Sequence, residues 1–142
     1  FHVVNYYFVT GSTLKCTGYD GRVLRGMKAQ VSSPATVVLL DNIESFQVQF
    51  GVADDITSSQ GQAVRYVTAD ALSALRDANQ QVVSLRWAVL LKSYQNEVQQ
   101  TQAQQFAMLN ETAKTLDTSH YYQVFSKTLA FRNMKNFVRS SQ

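Results

Sequence analysis

Cysteine, charge and long apolar runs are all scarce in this sequence. Cys16 is the only cysteine, so no disulfide can form within the chain. A lone thiol is typical of the cytosol, unless its partner lies outside this sequence or it is buried as a small apolar residue. Charged residues make up only 16%, so neutral polar residues supply much of the polarity, as in many secreted and assembled proteins. No signal peptide and no membrane-spanning run occurs in residues 1–142.

Length and composition indicate one folded domain that covers residues 1–142. The hydrophobic share of 45% and the aromatic share of 11% are those of a globular protein. A chain of this size can bury a core without metal or disulfide support. The sequence starts at Phe1 without an initiator Met, and we expect it to be a piece of a longer protein whose remaining part holds a targeting segment.

Positive charge is mild, with a formal net charge of +3 and a pI near 9.1. The basic residues form one group at the end of the chain and one near its start: Arg132, Lys135 and Arg139, and Arg22, Arg25 and Lys28. A nucleic-acid interface normally has denser charge interleaved with aromatic residues. The pattern therefore favours solvated side chains over a DNA-binding surface.

Histidine and cysteine give no convincing catalytic or zinc site. His2 and His120 are the only histidines, and each lies in a strand-like run without a second ligand nearby. Zinc needs three or four ligands, usually in closely spaced pairs. A Cys16–His120 dyad has no orienting third group, so the sequence favours structural roles for both residues.

Other motifs that carry chemistry are also missing. Asp41, Asp54 and Asp55 could offer oxygen ligands to a cation, but they are too few and too irregularly spaced for a calcium loop. No phosphate-binding glycine loop, nucleophile elbow or zinc-protease helix is present. Asn110–Thr112 matches a glycosylation sequon, which we interpret as accidental. The sequence predicts no catalytic, cofactor-binding or metal-binding residues, and hence no enzyme.

What the sequence does contain is a strong strand pattern between Gln81 and Tyr94. Every second residue there is apolar: Val83, Leu85, Trp87, Val89 and Leu91. Alternate side chains of a strand point to opposite faces, so these residues form one apolar row. The opposite row is mixed, as in an antiparallel sheet with one face packed and the other partly covered. We predict that this stretch is the central strand of the domain.

Other segments complete a β-rich pattern of the α+β class. Phe1–Thr17 predicts a hairpin with a type II′ turn at Gly11–Ser12. A short helix is expected from Thr68 or Asp70 to near Asn79. Further predicted elements are a strand over 46–50 with a partner over 62–67, a polar loop or weak helix over 95–118, a strand over 120–132 and a basic tail over 133–142.

Taken together, these segments resemble a known family. The segments that carry the resemblance, in order, are Ile43–Val52, Val64–Ala71, Val82–Leu91 and Val124–Asn133, with Leu14-Lys15-Cys16 before them. Their order and spacing are similar to those of the periplasmic part of PilW-type minor pilins from Gram-negative type IV pili. The resemblance extends from Phe1 to Asn133 and implies a pilin-like globular domain.

The resemblance implies a structural protein without catalytic residues. Such minor pilins assemble into a small complex that primes or caps the fibre, so the implied partners are other minor pilins and a pilus-tip adhesin. It also implies a preceding leader and a long apolar helix that anchors the subunit in the inner membrane, with this domain on the periplasmic side. The loop 53–61 lacks the alternating acids of a calcium loop, which argues against a metal role.

Two alternatives stay open at this point. The domain could be a pilus-tip binding module that contacts DNA or a surface through the basic residues Arg132, Lys135 and Arg139. It could also be a pseudopilin of type II secretion, because those subunits share the architecture that the resemblance implies.

Overall fold

Strands dominate the computed structural model, which describes residues 3–30, 32–53, 62–77, 80–94 and 102–131. The described elements are β1 (Val3–Thr10), β2 (Thr13–Asp20), α1 (Gly21–Leu24), β3 (Thr36–Leu40), β4 (Ile43–Ala53), β5 (Arg65–Val67), a 3-10 turn (Ala69–Ala71), α2 (Leu72–Asp77), β6 (Gln81–Lys92), β7 (Gln105–Phe106), β8 (Lys114–Thr115) and β9 (Tyr122–Ala130).

The strands form three antiparallel sheets. Their strand orders are β1-β2-β3, β5-β4-β6-β9 and β7-β8. The α+β prediction is wrong, because α1 has 4 residues and α2 has 6, and neither forms a helical layer. The two-stranded sheet and its flanking residues instead cover one face of the four-stranded sheet. The described fold is therefore β-sandwich-like, with helical turns only in connections.

The predicted N-terminal hairpin is confirmed. β1 and β2 pair antiparallel from Val3 opposite Asp20 to Thr10 opposite Thr13, which leaves a two-residue turn. Gly11 occupies this turn with φ of 60°. A type II′ turn needs a positive φ at its first central position, and glycine adopts it without steric cost.

The predicted central strand is confirmed as β6, which is hydrogen-bonded on both sides. Val89 lies between Phe46 of β4 and Phe125 of β9. Leu85 lies in the same way between Phe50 and Leu129. Residues directly opposite each other in paired strands share a face. We call this surface the apolar face and define it as Phe46, Val48, Phe50, Leu85, Trp87, Val89, Phe125 and Leu129.

The opposite face of the four-stranded sheet carries the core. Ala88 and Leu90 are each 1% exposed and pack against Met108 and Leu116, which flank β7 and β8. Partly buried apolar residues surround them: Phe106, Leu109, Tyr122 and Val124. Phe106, Met108, Leu109 and Leu116 come from the segment predicted as a polar loop or weak helix over 95–118, of which 95–101 lie outside the described residues. The described remainder is loop with two short strands and contains no helix.

A charged contact ties this covering segment to β4. The buried Ser45 hydroxyl donates to the Glu111 carboxylate, 3.0 Å from its Oε2 atom. Lys114 Nζ lies 2.9 Å from Glu111 Oε1. The sequon residue Glu111 therefore helps to seat the β7–β8 sheet on the core.

The predicted short helix is present in a reduced form. It starts as a 3-10 turn at Ala69–Ala71 and continues as α2, and residues 78–79 lie outside the described residues. Thr68 occupies the N-cap position with extended backbone, but its side chain makes no capping hydrogen bond. Leu75 is 5% exposed and attaches this segment to the interior.

We expect Gly51→Ala to destabilise the fold by about 1–3 kcal/mol, the usual cost of overpacking. Gly51 is buried in β4, opposite Tyr66 of β5 and Ser84 of β6. A Cβ atom at this position would lie 2.8 Å from Ala63 Cβ and would also overlap the Ser84 hydroxyl. Urea denaturation followed by circular dichroism measures the free energy of unfolding.

Gly18→Ala is the matched control for this experiment. Gly18 is exposed in β2, and an added Cβ would make an ordinary contact of 3.5 Å with Asn5 Oδ1. We expect this variant to stay within about 0.5 kcal/mol of the parent protein. Equal losses in both variants would contradict the proposed close packing around Gly51.

Candidate functional site

The apolar face is buried at Val89, half-buried along the rest of β4 and β6, and exposed on β9. Val89 is 3% exposed, whereas Phe125 and Leu129 of β9 are 45% and 43% exposed. β9 is the last strand of its sheet among the described residues. Phe131, whose amide donates to the Val83 carbonyl at 2.9 Å, continues the surface with 37% exposure. Lys127 lies between Phe125 and Leu129 on the same face, and a group of exposed apolar side chains of this kind is typical of a protein contact site.

A second apolar surface lies on the three-stranded sheet. Its exposed large apolar side chains are Val3, Val4, Tyr6, Tyr7, Val9, Val37, Val38 and Leu39. Tyr6 and Phe8 stack on one face with ring centroids 5.2 Å apart. Tyr6 and Tyr7 are each 56% exposed, so this aromatic run lies largely on the surface.

The start of β9 is held by the Asp117 carboxylate. Tyr122 donates its hydroxyl to this carboxylate at 2.6 Å, and Ser119 donates its hydroxyl at 2.8 Å. The backbone amides of Ser119 and His120 donate at 2.9 and 3.1 Å. His120 Nδ1 lies 2.9 Å away, which makes it a donor to the carboxylate. These bonds fix the turn that leads into β9 and so position Phe125.

These hydrogen bonds shift the pKa values of Asp117 and Tyr122 in opposite directions. The Tyr122 hydroxyl, then His120 and Ser119, hold the pKa of Asp117 well below its usual range, because they stabilise the charged carboxylate. Burial raises the pKa of Tyr122 above its usual value, and the hydrogen bond to Asp117 adds to this rise. Asp117 thus stays ionised and Tyr122 stays protonated near neutral pH.

The Asp117 cluster is not arranged as a catalytic triad. In a triad, the histidine contacts the nucleophile through one ring nitrogen and the orienting carboxylate through the other. Here Ser119 Oγ and the Asp117 carboxylate both lie at His120 Nδ1, at 3.3 and 2.9 Å. The arrangement is that of a hydrogen-bonded turn.

Cys16 and His120, for which the sequence favours structural roles, lie at different sheets. Cys16 lies in β2, between Tyr7 of β1 and Val37 of β3. His120 precedes β9 of the four-stranded sheet and contacts the Asp117 cluster. The sequence offered no signal for the Asp117 cluster, apart from the short spacing of its members.

No cation site is assembled in the part of the chain that the structure describes, where no three His, Cys, Asp or Glu side chains are grouped. Asp41 accepts a hydrogen bond from the Thr13 hydroxyl at 3.3 Å. His2, Asp54 and Asp55 lie outside the described residues. Within the same ranges, no helix is long and apolar enough to cross a membrane.

The early basic group is partly neutralised. Arg22 Nη2 lies 2.7 Å from the Asp20 carboxylate, and Lys28 Nζ lies 3.8 Å from it. Hydrogen bonds from Arg22 lower the pKa of Asp20 to about 2. This pairing reduces the charge that the group could offer to a phosphate backbone. The tail residues Arg132, Lys135 and Arg139 lie outside the described residues.

These observations define a class: a β-sandwich-like domain whose described surface offers apolar patches for contacts with other proteins. The family model of the type IV pilus-assembly protein W matches residues 5–133, and the chain belongs to this family. The resemblance drawn from the sequence is therefore confirmed, and with it a part in type IV pilus assembly. No curated protein and no solved structure matches the chain.

We expect Asp117→Asn to lower the melting temperature at pH 7. The pKa of Asp117 lies below its unfolded value of about 3.9, so the carboxylate contributes stability that is fully present above that pH. This contribution falls as the pH drops towards the folded pKa. The difference between the parent protein and the variant should thus be largest at pH 7 and shrink below about pH 4. Thermal unfolding from pH 7 to pH 2 measures it.

Asp70→Asn serves as the control, because Asp70 is an exposed carboxyl in the 3-10 turn. We expect no comparable loss at pH 7 in this variant. A difference between Asp117→Asn and the parent protein that stays constant down to pH 2 would show that the ionised carboxylate is not the source of the stability.

Proposed function

We propose that this protein is a minor pilin that helps to prime type IV pilus assembly by packing with other minor pilins. Family membership supports the setting, because the PilW model covers residues 5–133. The observation that carries the proposal is the open end of the apolar face at Phe125 and Leu129. We infer a structural role without catalysis.

The mechanism is the burial of apolar surface between subunits. Apolar area removed from water contributes about 25 cal/mol per Å². Phe125 and Leu129 extend the apolar rows of β4 and β6 across a single sheet, so a partner that covers β9 gains one continuous surface. Aromatic side chains in the middle of such contacts supply much of the binding energy. Phe125, set opposite the buried Val89, is the side chain best placed for this.

Two features orient this surface. The Asp117 cluster holds the start of β9, and pairing with β6 from Ser84 to Lys92 holds the rest of the strand.

Lys127 is opposite Trp87 on the same face and adds a positive charge within the apolar surface. A partner with a carboxylate facing Lys127 would therefore be selected over one without it.

The family resemblance also supports a location for the subunit. We propose that the full protein is anchored in the inner membrane by an apolar N-terminal helix, with this domain on the periplasmic side before it enters the fibre. The partners would be the other minor pilins and an adhesin at the pilus tip. In that position, anchor helices bundle while the β-rich domains set the order of the subunits.

Substitution of Phe125 by Asp tests the proposal. The chain is mixed with the soluble domains of the other minor pilins, and size-exclusion chromatography with light scattering measures whether a stoichiometric complex forms. We expect the parent chain to form a complex and Phe125→Asp to weaken it roughly tenfold or more, because a carboxylate would be buried in an apolar contact.

Thr128→Asp is the matched control. Thr128 is exposed on the same strand but pairs with Arg86 on the opposite face of the sheet. This variant adds the same charge to β9 and should leave the complex intact. Equal loss in both variants would show that the complex depends on net charge, and a persistent mixture of monomers would overturn the proposal for this domain.

A further inference from the structure

The edges of the three-stranded and four-stranded sheets are protected in different ways, with one exception. Unpaired edge strands invite pairing with other chains, and proteins block them with short strands, charges or proline. β3 has 5 residues and follows Pro34, and β5 has 3 residues and starts with Arg65. β9 carries Lys127 in its middle. Each of these strands has a recognisable device against pairing.

β1 has none of these devices. It runs for 8 residues, Val-Val-Asn-Tyr-Tyr-Phe-Val-Thr, without charge, proline or glycine. Among the described residues it is hydrogen-bonded to β2 on one side only. Its apolar side chains are exposed on both faces, with Val3 at 72% and Tyr6 and Tyr7 at 56% each. An edge of this length and character is suited to accept another strand.

We propose that β1 pairs antiparallel with β1 of a second copy of this chain, which joins two three-stranded sheets into one. A two-fold axis normal to the sheet keeps each face on the same side in both copies, so residues of equal parity lie opposite each other. Pairing centred on Tyr6 places Val4 opposite Phe8 and Val3 opposite Val9 of the second copy, and each pair occurs twice. Aromatic and β-branched residues are favourable cross-strand neighbours.

The absence of charged residues on β1 favours a second copy of β1 over a charged partner strand. The net charge of the chain is only +3, and none of it lies on β1. Two copies therefore meet along an uncharged edge, with the early basic group partly neutralised by Asp20. A strand rich in acidic or basic residues would lose hydration along this edge without gaining an opposite charge.

The available area predicts a weak dimer. An aromatic side chain buries roughly 150–250 Å² when it is fully covered, and the exposed parts of Tyr6, Tyr7 and the valines amount to on the order of 400 Å² per copy. Stable interfaces bury about 800 Å² per partner. Backbone hydrogen bonds along the edge add to the contact. The dimer is thus expected to dissociate on dilution.

This inference does not rest on the proposed minor-pilin role, because β1 and β9 lie in different sheets.

Sedimentation equilibrium of the chain from about 10 µM to about 1 mM, the range of a weak interface, should show a monomer–dimer equilibrium. In the Tyr6→Lys variant, the two copies would place their lysines opposite each other. In the separate Asn5→Lys variant, each copy would carry a positive charge on the paired edge. Both variants should therefore be monomeric. Circular dichroism checks that each variant remains folded.

Val38→Lys is the control, because Val38 is 53% exposed on β3 at the other edge of the same sheet. It should dimerise like the parent chain. A second readout uses a Cys16→Ser background, in which Tyr6→Cys should form a disulfide-linked dimer, since opposite residues of paired strands lie within disulfide reach. Val38→Cys in the same background should stay uncrosslinked.

Each result of these experiments either supports or overturns the pairing of β1 with a second copy. A dimer that both β1 lysine variants abolish and Val38→Lys retains supports the pairing. A chain that is monomeric throughout the concentration range overturns it, as does a dimer that persists in Tyr6→Lys and Asn5→Lys. Loss of the dimer in Val38→Lys alone would assign the contact to β3 and would equally overturn it.

Discussion

The register of β6 between β4 and β9 is the constraint on which the rest of the structure depends. Side chains alternate across a strand, so a slip of one residue would exchange every side chain between the two faces. In the observed register, Ala88 and Leu90 face the core, while Trp87 and Val89 join the apolar face. The same backbone hydrogen bonds therefore place the core residues on one side of the sheet and the apolar face on the other.

Two anchored loops keep both faces in place. Glu111 bonds to Ser45 and Lys114 and seats the β7–β8 sheet on the core face. Asp117 gathers the donors that start β9 and thereby hold the open end of the apolar face. Both anchors are carboxylates that accept from several donors, which makes their hydrogen bonds stronger than neutral ones.

Local pattern predicted the elements that depend on nearest neighbours. The alternation from Val83 to Leu91 identified β6, and the Gly11–Ser12 pair identified the hairpin of β1 and β2. The covering segment was missed, because its apolar residues are only the short run 106–109 and the single Leu116 within a polar stretch, without a helix or strand period. Their burial is decided by contact with Ala88 and Leu90, which is invisible to a helix or strand pattern. The α+β prediction failed for a different reason, since the helices have only 4 and 6 residues and form no layer.

The order of residues is enough to predict which side chains share a face of a strand, because the two-residue period follows from backbone geometry. It also carried the ordered segments that mark the PilW family. Which strands lie at the edges follows from the folded arrangement alone, and with it the exposure of Tyr6, Tyr7 and Phe125 and the burial of Val89 and Leu90. Edges depend on pairing between segments far apart in the chain, such as β6 with β9, and local periodicity contains no information about those partners.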